Sequence, residues 1–128
     1  MQTEFKGKVW LLGDDIDTDI IIPTEYLALP TVADMAPYAF SPLRPELAAQ
    51  IKSGDIIVGG KNFGCGSSRE QAPEILKELK IGCVIAKSYA RIFYRNAVNN
   101  GLLLLENPNL PDDVKEGEEV EVTVGQAV

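Results

Sequence analysis

The residues with the clearest chemical potential lie in one glycine-rich segment, residues 59–71, which reads GGKNFGCGSSREQ. Its glycines allow positive φ angles and let the backbone approach a ligand closely. Backbone amides at the start of a following helix, together with the helix dipole, favour a bound anion. Arg69 adds a planar fork of donors that suits a carboxylate or a phosphate. The segment therefore predicts an anion site at the start of a helix.

A purely structural interpretation of the same segment is also open. Ser67 and Glu70 have the spacing of a helix capping box, in which case Arg69 would be a solvated surface residue. That alternative would put Pro73 in the second helical turn, whereas proline belongs in the first. We therefore expect the regular helix to begin near Arg69 or later.

The absence of histidine from the sequence restricts the chemistry. It removes the commonest general base, the usual zinc ligand and every serine–histidine or cysteine–histidine dyad. The two cysteines, Cys65 and Cys83, are too few for an iron–sulfur cluster, which needs three or four thiolates, and we expect them to be free thiols. Catalysis must use carboxylate, Ser, Lys, Tyr or Arg side chains, or be completed by another chain.

Composition predicts a single domain over residues 1–128, with 45% hydrophobic residues and a net charge of −7. The negative charge opposes binding to nucleic acid or to an anionic membrane. No apolar run is long enough to span a bilayer, and the first residues lack the apolar core of a signal peptide. The expected location is the cytoplasm.

Strand and helix patterns alternate along the chain. After the glycine-rich segment, apolar residues at i, i+3, i+4 and i+7 predict a helix, and Ser88 is expected to cap a second helix that Gly101 ends. Prolines between residues 27 and 51 predict an apolar, mobile loop with a short helix at 45–51. Strands or extended segments are predicted at residues 8–12, 20–23, 55–58, 81–86, 102–105 and 120–124.

Three linked motifs carry a family resemblance. They are DTDIIIP at residues 17–23 followed by Tyr26-Leu27, GKNFGCGSSRE at 60–70, and AKSYARIFYRN at 86–96. In this order and spacing they closely resemble the small subunit of 3-isopropylmalate dehydratase, and they are similar to the swivelling fourth domain of aconitase. The resemblance covers roughly residues 5–106.

The resemblance implies an α/β fold, specifically a swivelling β/β/α three-layer domain that caps a large subunit. It implies a hydro-lyase of leucine biosynthesis, which isomerises 2-isopropylmalate and 3-isopropylmalate by removing water and adding it back. This chain is expected to hold no metal, and a four-iron four-sulfur cluster is expected in the large subunit. Activity is expected only with that partner.

The resemblance also assigns roles to residues. Matched onto the family motif, Ser67 resembles the base that takes a proton from the carbon next to a carboxylate. Ser68 and Arg69 would bind the substrate. Cys65 receives no chemical role and is expected to fill space. Residues implied as active-site support are Asp19, Gly64 and Gly66.

Substrate preference is expected to depend on the residues after Tyr26-Leu27. Relatives that act on tricarboxylates have an arginine there, whereas this chain has Ala28 and Leu29, which suit an isopropyl group. Arg44 lies farther along and could restore a positive charge. The alternatives are a homoaconitase, methylmalate or dimethylmaleate hydratase type of small subunit, or a non-catalytic carboxylate-binding module.

Two departures from the family pattern stand out, and one concerns the active-site segment. Many relatives have histidine where this chain has Gln71. Family members also usually continue well beyond a segment like 120–124, so a C-terminal tail is expected to be missing.

The basic and aromatic residues of the third motif are expected to serve packing and subunit contact rather than nucleic-acid binding: Lys87, Arg91, Tyr94 and Arg95.

Overall fold

The computed structural model describes residues 4–66 and 69–123, and the strands in those residues form one mixed sheet. The strand order is β4-β3-β2-β1-β5, in which β1 to β4 run parallel and β5 pairs antiparallel with β1. The predicted α/β class is confirmed. The strands are β1 (Glu4–Gly13), β2 (Ile56–Gly59), β3 (Cys83–Ala86), β4 (Leu104–Glu106) and β5 (Glu119–Thr123).

Helices fill the connections between the strands. The two longest, α4 and α5, follow the glycine-rich segment and β3, and short 3₁₀ turns occupy Thr24–Ala28 and Ala36–Tyr38. In the described part of the chain, no helix has the length and apolar character that a membrane span requires. The helices are α1 (Thr18–Ile21), α2 (Val32–Met35), α3 (Leu47–Gln50), α4 (Gln71–Glu78), α5 (Arg91–Asn99) and α6 (Leu110–Asp113).

The central strands are buried on both faces because apolar side chains alternate between two cores. Ile57 of β2 and Val84 of β3 belong to the larger core, which α4 and α5 cover. Ile56 and Ile85, which point to the opposite face, belong to a smaller core. Residues from the segment after β3 pack against this smaller core: Leu103, Leu105, Leu110, Val114 and Val120.

The predicted apolar face of α4 is confirmed. Ala72, Ile75 and Leu76 are fully buried in the larger core, and Leu79 packs against it. The end of α5 also follows the prediction, because Gly101 adopts a φ of 79° just after the helix. Local periodicity was sufficient for the buried face of α4, and a single glycine marked the end of α5.

Two predictions for the first half of the chain are wrong in whole or in part. Residues 20–23 were expected to be extended, but Ile20 and Ile21 lie in α1, because the side chain of Asp17 accepts a hydrogen bond from the amide of Ile20 at 2.8 Å. Ile22 and Pro23 are extended, as predicted. The proline-containing segment 27–51 is not an apolar surface loop. It forms short helices, including α3 within the predicted 45–51, and buries Phe40 and Leu47 completely.

Candidate active site

The glycine-rich segment is fixed on one side by the turn that follows β1. The amide of Gly64 donates to the carbonyl of Ile16 at 2.7 Å, and the amide of Thr18 donates to the carbonyl of Cys65 at 2.9 Å. These bonds connect the first residues of α1 with the middle of the glycine-rich segment. The first two family motifs therefore form one unit.

The segment that follows β3 fixes the other side. The amide of Asn62 donates to Ser88 Oγ at 2.9 Å, and the amide of Phe63 donates to the Ser88 carbonyl at 3.0 Å. The amide of Ala90 then donates to the carbonyl of Phe63 at 3.0 Å. The hydroxyl of Ser88 thus caps the glycine-rich segment, and the prediction that it caps α5 is wrong, since Ala90 occupies that N-cap.

These hydrogen bonds limit where an anion could be held. Each amide from residue 60 to residue 65 donates to an acceptor within the protein, so a ligand cannot draw on any of them. The predicted anion site is therefore confined to the part of the segment from Gly66 onward. The acceptors are the carbonyls of Gly13, Ser88, Ile16 and Asn62, Asp14 Oδ1 and Ser88 Oγ.

The capping-box interpretation is wrong. Helix α4 begins at Gln71 and has Glu70 at its N-cap, so Ser67 lies too far before the helix to hold that position. Pro73 falls in the first turn of α4, as expected. Ser67 and Ser68 themselves lie outside the described residues.

Gly64 and Gly66 both have positive φ angles, 85° and 91°. A Cβ atom on Gly64 would lie 2.1 Å from Cγ of Phe93, so the ring of that α5 residue can pack here only against a glycine. A Cβ atom on Gly66 would lie 3.4 Å from Cβ of Asp17, which is ordinary contact. Gly64 thus sets the packing of α5, and Gly66 chiefly supplies the backbone conformation.

Arg69 is held by one residue of α1 and by residues that directly follow this helix. Its Nη2 lies 2.5 Å from Asp19 Oδ1 and donates to Thr24 Oγ1 at 2.8 Å, while Nη1 donates to the carbonyl of Ile22 at 3.4 Å. The Arg69 side chain is 14% exposed and the Asp19 side chain 59%. The structure therefore brings together Arg69 and Asp19, two of the predicted site residues, whose roles at the site stay predictions. Thr24 was missed, because no local pattern marks a threonine that follows Pro23.

A small cleft lies beside Arg69, between the glycine-rich segment and α5. Its volume is about 10 Å³, which is space for about one water molecule. The chain therefore offers a surface to a ligand larger than water and does not enclose it. The lining residues are Thr18, Gly64, Gly66, Arg69, Ile92, Phe93 and Asn96.

The predicted specificity residues lie at the end of the 3₁₀ turn Thr24–Ala28. Ala28 is exposed, whereas Leu29 is half-buried against the larger core. The turn is also fixed by Tyr26, whose ring stacks on that of Tyr38 with the centroids 4.1 Å apart.

Arg44 is engaged elsewhere. Its guanidinium group forms a two-pronged ion pair with Glu116 and lies 5.7 Å from the ring centroid of Trp10. The hydrogen bond from Arg44 is the main cause that lowers the pKa of Glu116 below its ordinary value. Arg44 is therefore held by other partners in this structure.

A larger crevice of about 310 Å³ lies at the carboxyl ends of β1 and β2. The cation among its lining residues, Lys87, forms an ion pair with Asp112 at 2.8 Å. That pairing raises the pKa of Lys87, which therefore stays charged with Asp112 as its counter-ion. Arg69, beside the smaller cleft, is the better candidate for a carboxylate because it offers a planar fork of donors that a lysine lacks.

Neither cysteine has the character of a reactive thiolate. Both are free, and burial together with the nearby Asp17 carboxylate raises the pKa of Cys65. Burial raises the pKa of Cys83 to about 12. Among the described residues, no group of three or more His, Cys, Asp or Glu side chains could hold a metal ion.

Comparison with known proteins agrees with this architecture. The family model described as the aconitase C-terminal domain matches residues 43–110. The 3-isopropylmalate dehydratase small subunit of Lachnospira eligens is 73% identical over 128 residues, which are 100% of this chain and 78% of the relative. The isopropylmalate/citramalate isomerase small subunit of Methanocaldococcus jannaschii is 50% identical over 124 residues, covering 97% of this chain and 74% of the relative.

A solved structure gives the same result at the level of the fold. The crystal structure of 3-isopropylmalate dehydratase from Methanocaldococcus jannaschii superposes with a TM-score of 0.86 at 46% identity. The match covers 92% of this chain and 70% of that one. The chain therefore belongs to the 3-isopropylmalate dehydratase small-subunit family, within the group defined by the aconitase C-terminal domain.

Proposed function

We propose that this chain is the small subunit of a 3-isopropylmalate dehydratase. The enzyme would isomerise 2-isopropylmalate and 3-isopropylmalate in leucine biosynthesis, removing water and adding it back in the opposite sense. The observation that carries the proposal is Arg69, which is largely buried and oriented by three acceptors beside the glycine-rich segment. The names of its relatives support the same activity.

Arg69 would bind a carboxylate of the substrate. Loss of a proton from the neighbouring carbon delocalises negative charge onto that carboxylate, so a fixed guanidinium group stabilises the transition state as well as the bound substrate. A guanidinium group that is already oriented needs little reorganisation when the charge develops.

Ser67 would act as the base and Ser68 would help to hold the substrate. The two serines directly precede Arg69 in the sequence, so a carboxylate bound by Arg69 would place the adjacent carbon near them. A serine hydroxyl is a poor base unless its anion is stabilised, and a nearby cation contributes to that stabilisation. The lack of histidine makes a serine base the more plausible choice for this chain.

The large subunit would supply a four-iron four-sulfur cluster. The two cysteines of this chain do not suffice for such a cluster, since Cys83 is buried within β3 and a cluster needs three or four thiolates. When bound in the partner, the cluster offers a Lewis acid that assists departure of the substrate hydroxyl. The substrate would then lie between the subunits, in agreement with the small size of the cleft.

The isopropyl substrate is favoured by the surroundings of the 3₁₀ turn. Ala28 offers an exposed apolar surface next to Leu29, and Arg44 is committed to Glu116. Contact with such a surface contributes about 1–3 kcal/mol of discrimination for each methylene-sized difference. A third carboxylate at the same place would lose hydration without gaining a cation.

Citramalate is the second candidate substrate. The Methanocaldococcus jannaschii relative, at 50% identity, is named for both isopropylmalate and citramalate. A methyl group in place of isopropyl would bury less apolar surface and so bind more weakly. The same enzyme could therefore turn over both substrates, with isopropylmalate preferred.

The test begins by co-expressing this chain with a large-subunit chain from the neighbouring coding region and reconstituting the cluster anaerobically. The complex is then offered a panel of hydroxy acids, and the unsaturated intermediate is detected by its ultraviolet absorbance. We expect activity only in the complex. Ser67→Ala should lower turnover by several orders of magnitude while the complex still assembles on size exclusion. Near-normal turnover in Ser67→Ala would overturn the base assignment. Dehydration by the purified chain alone would overturn the two-subunit proposal.

We place the assembled enzyme in the cytoplasm. The two free thiols, one exposed in part and one buried, are compatible with a reducing compartment. Activity that fractionates with the cytosol of the source cell would support this location, and activity in a membrane or secreted fraction would contradict it.

A further inference from the structure

At one nitrogen of the Arg69 guanidinium group, Nη2, both N–H groups already have an acceptor. Nη2 carries two N–H groups, and its two neighbours are Asp19 Oδ1 at 2.5 Å and Thr24 Oγ1 at 2.8 Å. Among the described residues, the acceptor for Nη1 is the carbonyl of Ile22 at 3.4 Å. Both forks of parallel N–H groups on a guanidinium group, Nε with Nη2 and Nη1 with Nη2, include Nη2. A carboxylate can therefore bind Arg69 in two-pronged fashion only if Asp19 or Thr24 withdraws.

Charge decides which of the two acceptors withdraws. Two carboxylates on one nitrogen would lie within a few ångströms of each other and repel, whereas a neutral hydroxyl does not repel the substrate. The Asp19 side chain is 59% exposed, so its carboxylate can return to water at little cost. Replacing one carboxylate by another also keeps the charge of Arg69 compensated.

We propose that Thr24 is a positioning residue for Arg69, and that Asp19 is an exchangeable acceptor that a carboxylate of the substrate replaces on Nη2. The proposal rests on the proposed function, since it takes Arg69 as the site of the substrate carboxylate. Thr24 and the Ile22 carbonyl keep the guanidinium plane fixed during the exchange. Asp19 holds the same group when no substrate is present.

The two residues are expected to affect substrate binding in opposite directions. In the reconstituted complex, Thr24→Val keeps the shape of the side chain and should raise KM about tenfold with kcat changed less than about twofold, because a hydrogen bond to a charged group is lost. Thr24→Ser keeps the hydroxyl and should restore KM to within about twofold of the wild-type value. Asp19→Asn should lower KM, because a neutral amide competes less with the substrate.

Some outcomes of these kinetic measurements would refute the roles proposed for Thr24 and Asp19. If Thr24→Val and Thr24→Ser have equal effects, or if Thr24→Val lowers kcat at constant KM, the hydroxyl does not position Arg69. If Asp19→Asn raises KM, Asp19 is a fixed partner and the exchange does not occur.

A second measurement is independent of turnover. In ¹⁵N nuclear magnetic resonance spectra of the isolated full chain, the guanidinium signals of Arg69 can be assigned by their loss in Arg69→Lys. Because Asp19 also holds Nη2 in the substrate-free chain, the comparison uses Asp19→Ala as its background. Hindered rotation should give separate Nη signals in Asp19→Ala and in Asp19→Ala/Thr24→Ser, and averaged signals in Asp19→Ala/Thr24→Val. Separate signals in Asp19→Ala/Thr24→Val would refute the positioning role. A wild-type complex that acts on neither isopropylmalate nor citramalate would instead refute the proposed function, and the spectra would still test Thr24.

Discussion

Gly64 is the position in the glycine-rich segment at which the structure gives the clearest cost for a side chain. Its φ is 85°, and an added Cβ would lie 2.1 Å from Cγ and 2.5 Å from Cβ of Phe93. Phe93 is 4% exposed and packs edge-on against Phe63 with the ring centroids 5.5 Å apart, so it has little room to move. The left-handed backbone costs an alanine about 1–2 kcal/mol, and displacing a packed ring costs about 1–3 kcal/mol more.

We therefore expect Gly64→Ala to lower the free energy of unfolding by about 2–5 kcal/mol. That is a large part of the roughly 5–15 kcal/mol that stabilises a typical domain. The matched control is Gly54→Ala, since Gly54 has a φ of 88° and open space within 4 Å of its Cβ position. Gly54→Ala should lower the free energy of unfolding only by the cost of the left-handed backbone conformation, about 1–2 kcal/mol.

Urea unfolding followed by far-ultraviolet circular dichroism measures both variants, and equal slopes against denaturant are needed for the comparison. A double-mutant cycle isolates the contribution of the Phe93 side chain. In a Phe93→Gly background, Gly64→Ala should cost close to what the backbone conformation alone costs, because both the ring and the Cβ atom that obstruct the new methyl group are gone. If Gly64→Ala costs no more than Gly54→Ala in the wild-type background, Phe93 does not fix the glycine-rich segment and the reasoning fails.

Three further predictions concern charge and specificity. Arg69→Lys should raise KM about 10- to 100-fold in the reconstituted complex, because a lysine cannot reproduce the fork; an unchanged KM would remove Arg69 from the substrate site. Ala28→Arg should shift the ratio of catalytic efficiencies from 3-isopropylmalate toward homocitrate, since Ala28 is exposed and can accept a longer side chain; an unchanged ratio would assign selection to the partner subunit. The pKa of Glu116 is lowered in the folded chain by its bond to Arg44, so this pair stabilises the fold above the ordinary value of 4.5 and ceases to do so as the pH falls through the lowered pKa. Glu116→Gln should therefore cost up to about 1 kcal/mol at pH 7 and progressively less as the pH falls below 4.5, as urea unfolding over that range would show; a cost that does not change with pH would contradict it.

The parts of the fold that the sequence predicts are those in which the pattern is local. Strand β2 is an unbroken apolar run bounded by turn residues, and the buried face of α4 repeats with the helical period. Both depend only on neighbours in the chain. The family resemblance likewise depends on short motifs, and the α/β class that it implies is confirmed, whereas the roles of Arg69 and Asp19 stay predictions.

The errors fall where distant contacts decide the local conformation. Residues 20–22 are three isoleucines, which favour a strand, yet the first two lie in α1 because of the cap from Asp17 and the bond between Thr18 and Cys65. Ser88 has the right residue type for a helix cap, but its hydroxyl is used by Asn62. In each case a hydrogen bond sets the local conformation. Its partner lies in another motif or is a side chain whose direction the sequence does not show.

The proline-containing segment was misjudged for a different reason. Proline limits the length of regular structure, and the helices in residues 27–51 are indeed only one turn long. Limited length does not prevent burial, because short helices still present Met35 and Leu47 to the core, and the turn between them presents Phe40. Density of prolines predicts the absence of long helices, whereas the number of large apolar residues predicts packing.

Helix α5 connects the geometry of the site with the surface that remains open to a partner. On its inner side Phe93 packs against Gly64, while Ile92 lines the cleft beside Arg69 and is 55% exposed. Tyr94 and Val98, one helical turn apart, form a second exposed apolar patch on a different side of the helix from Ile92. Burying either patch would stabilise a complex by about 25 cal/mol for each Å². A partner that covers Ile92 would therefore also bound the cleft next to Arg69. Because Phe93 follows Ile92 on the same helix, subunit association and the position of the glycine-rich segment are expected to depend on each other.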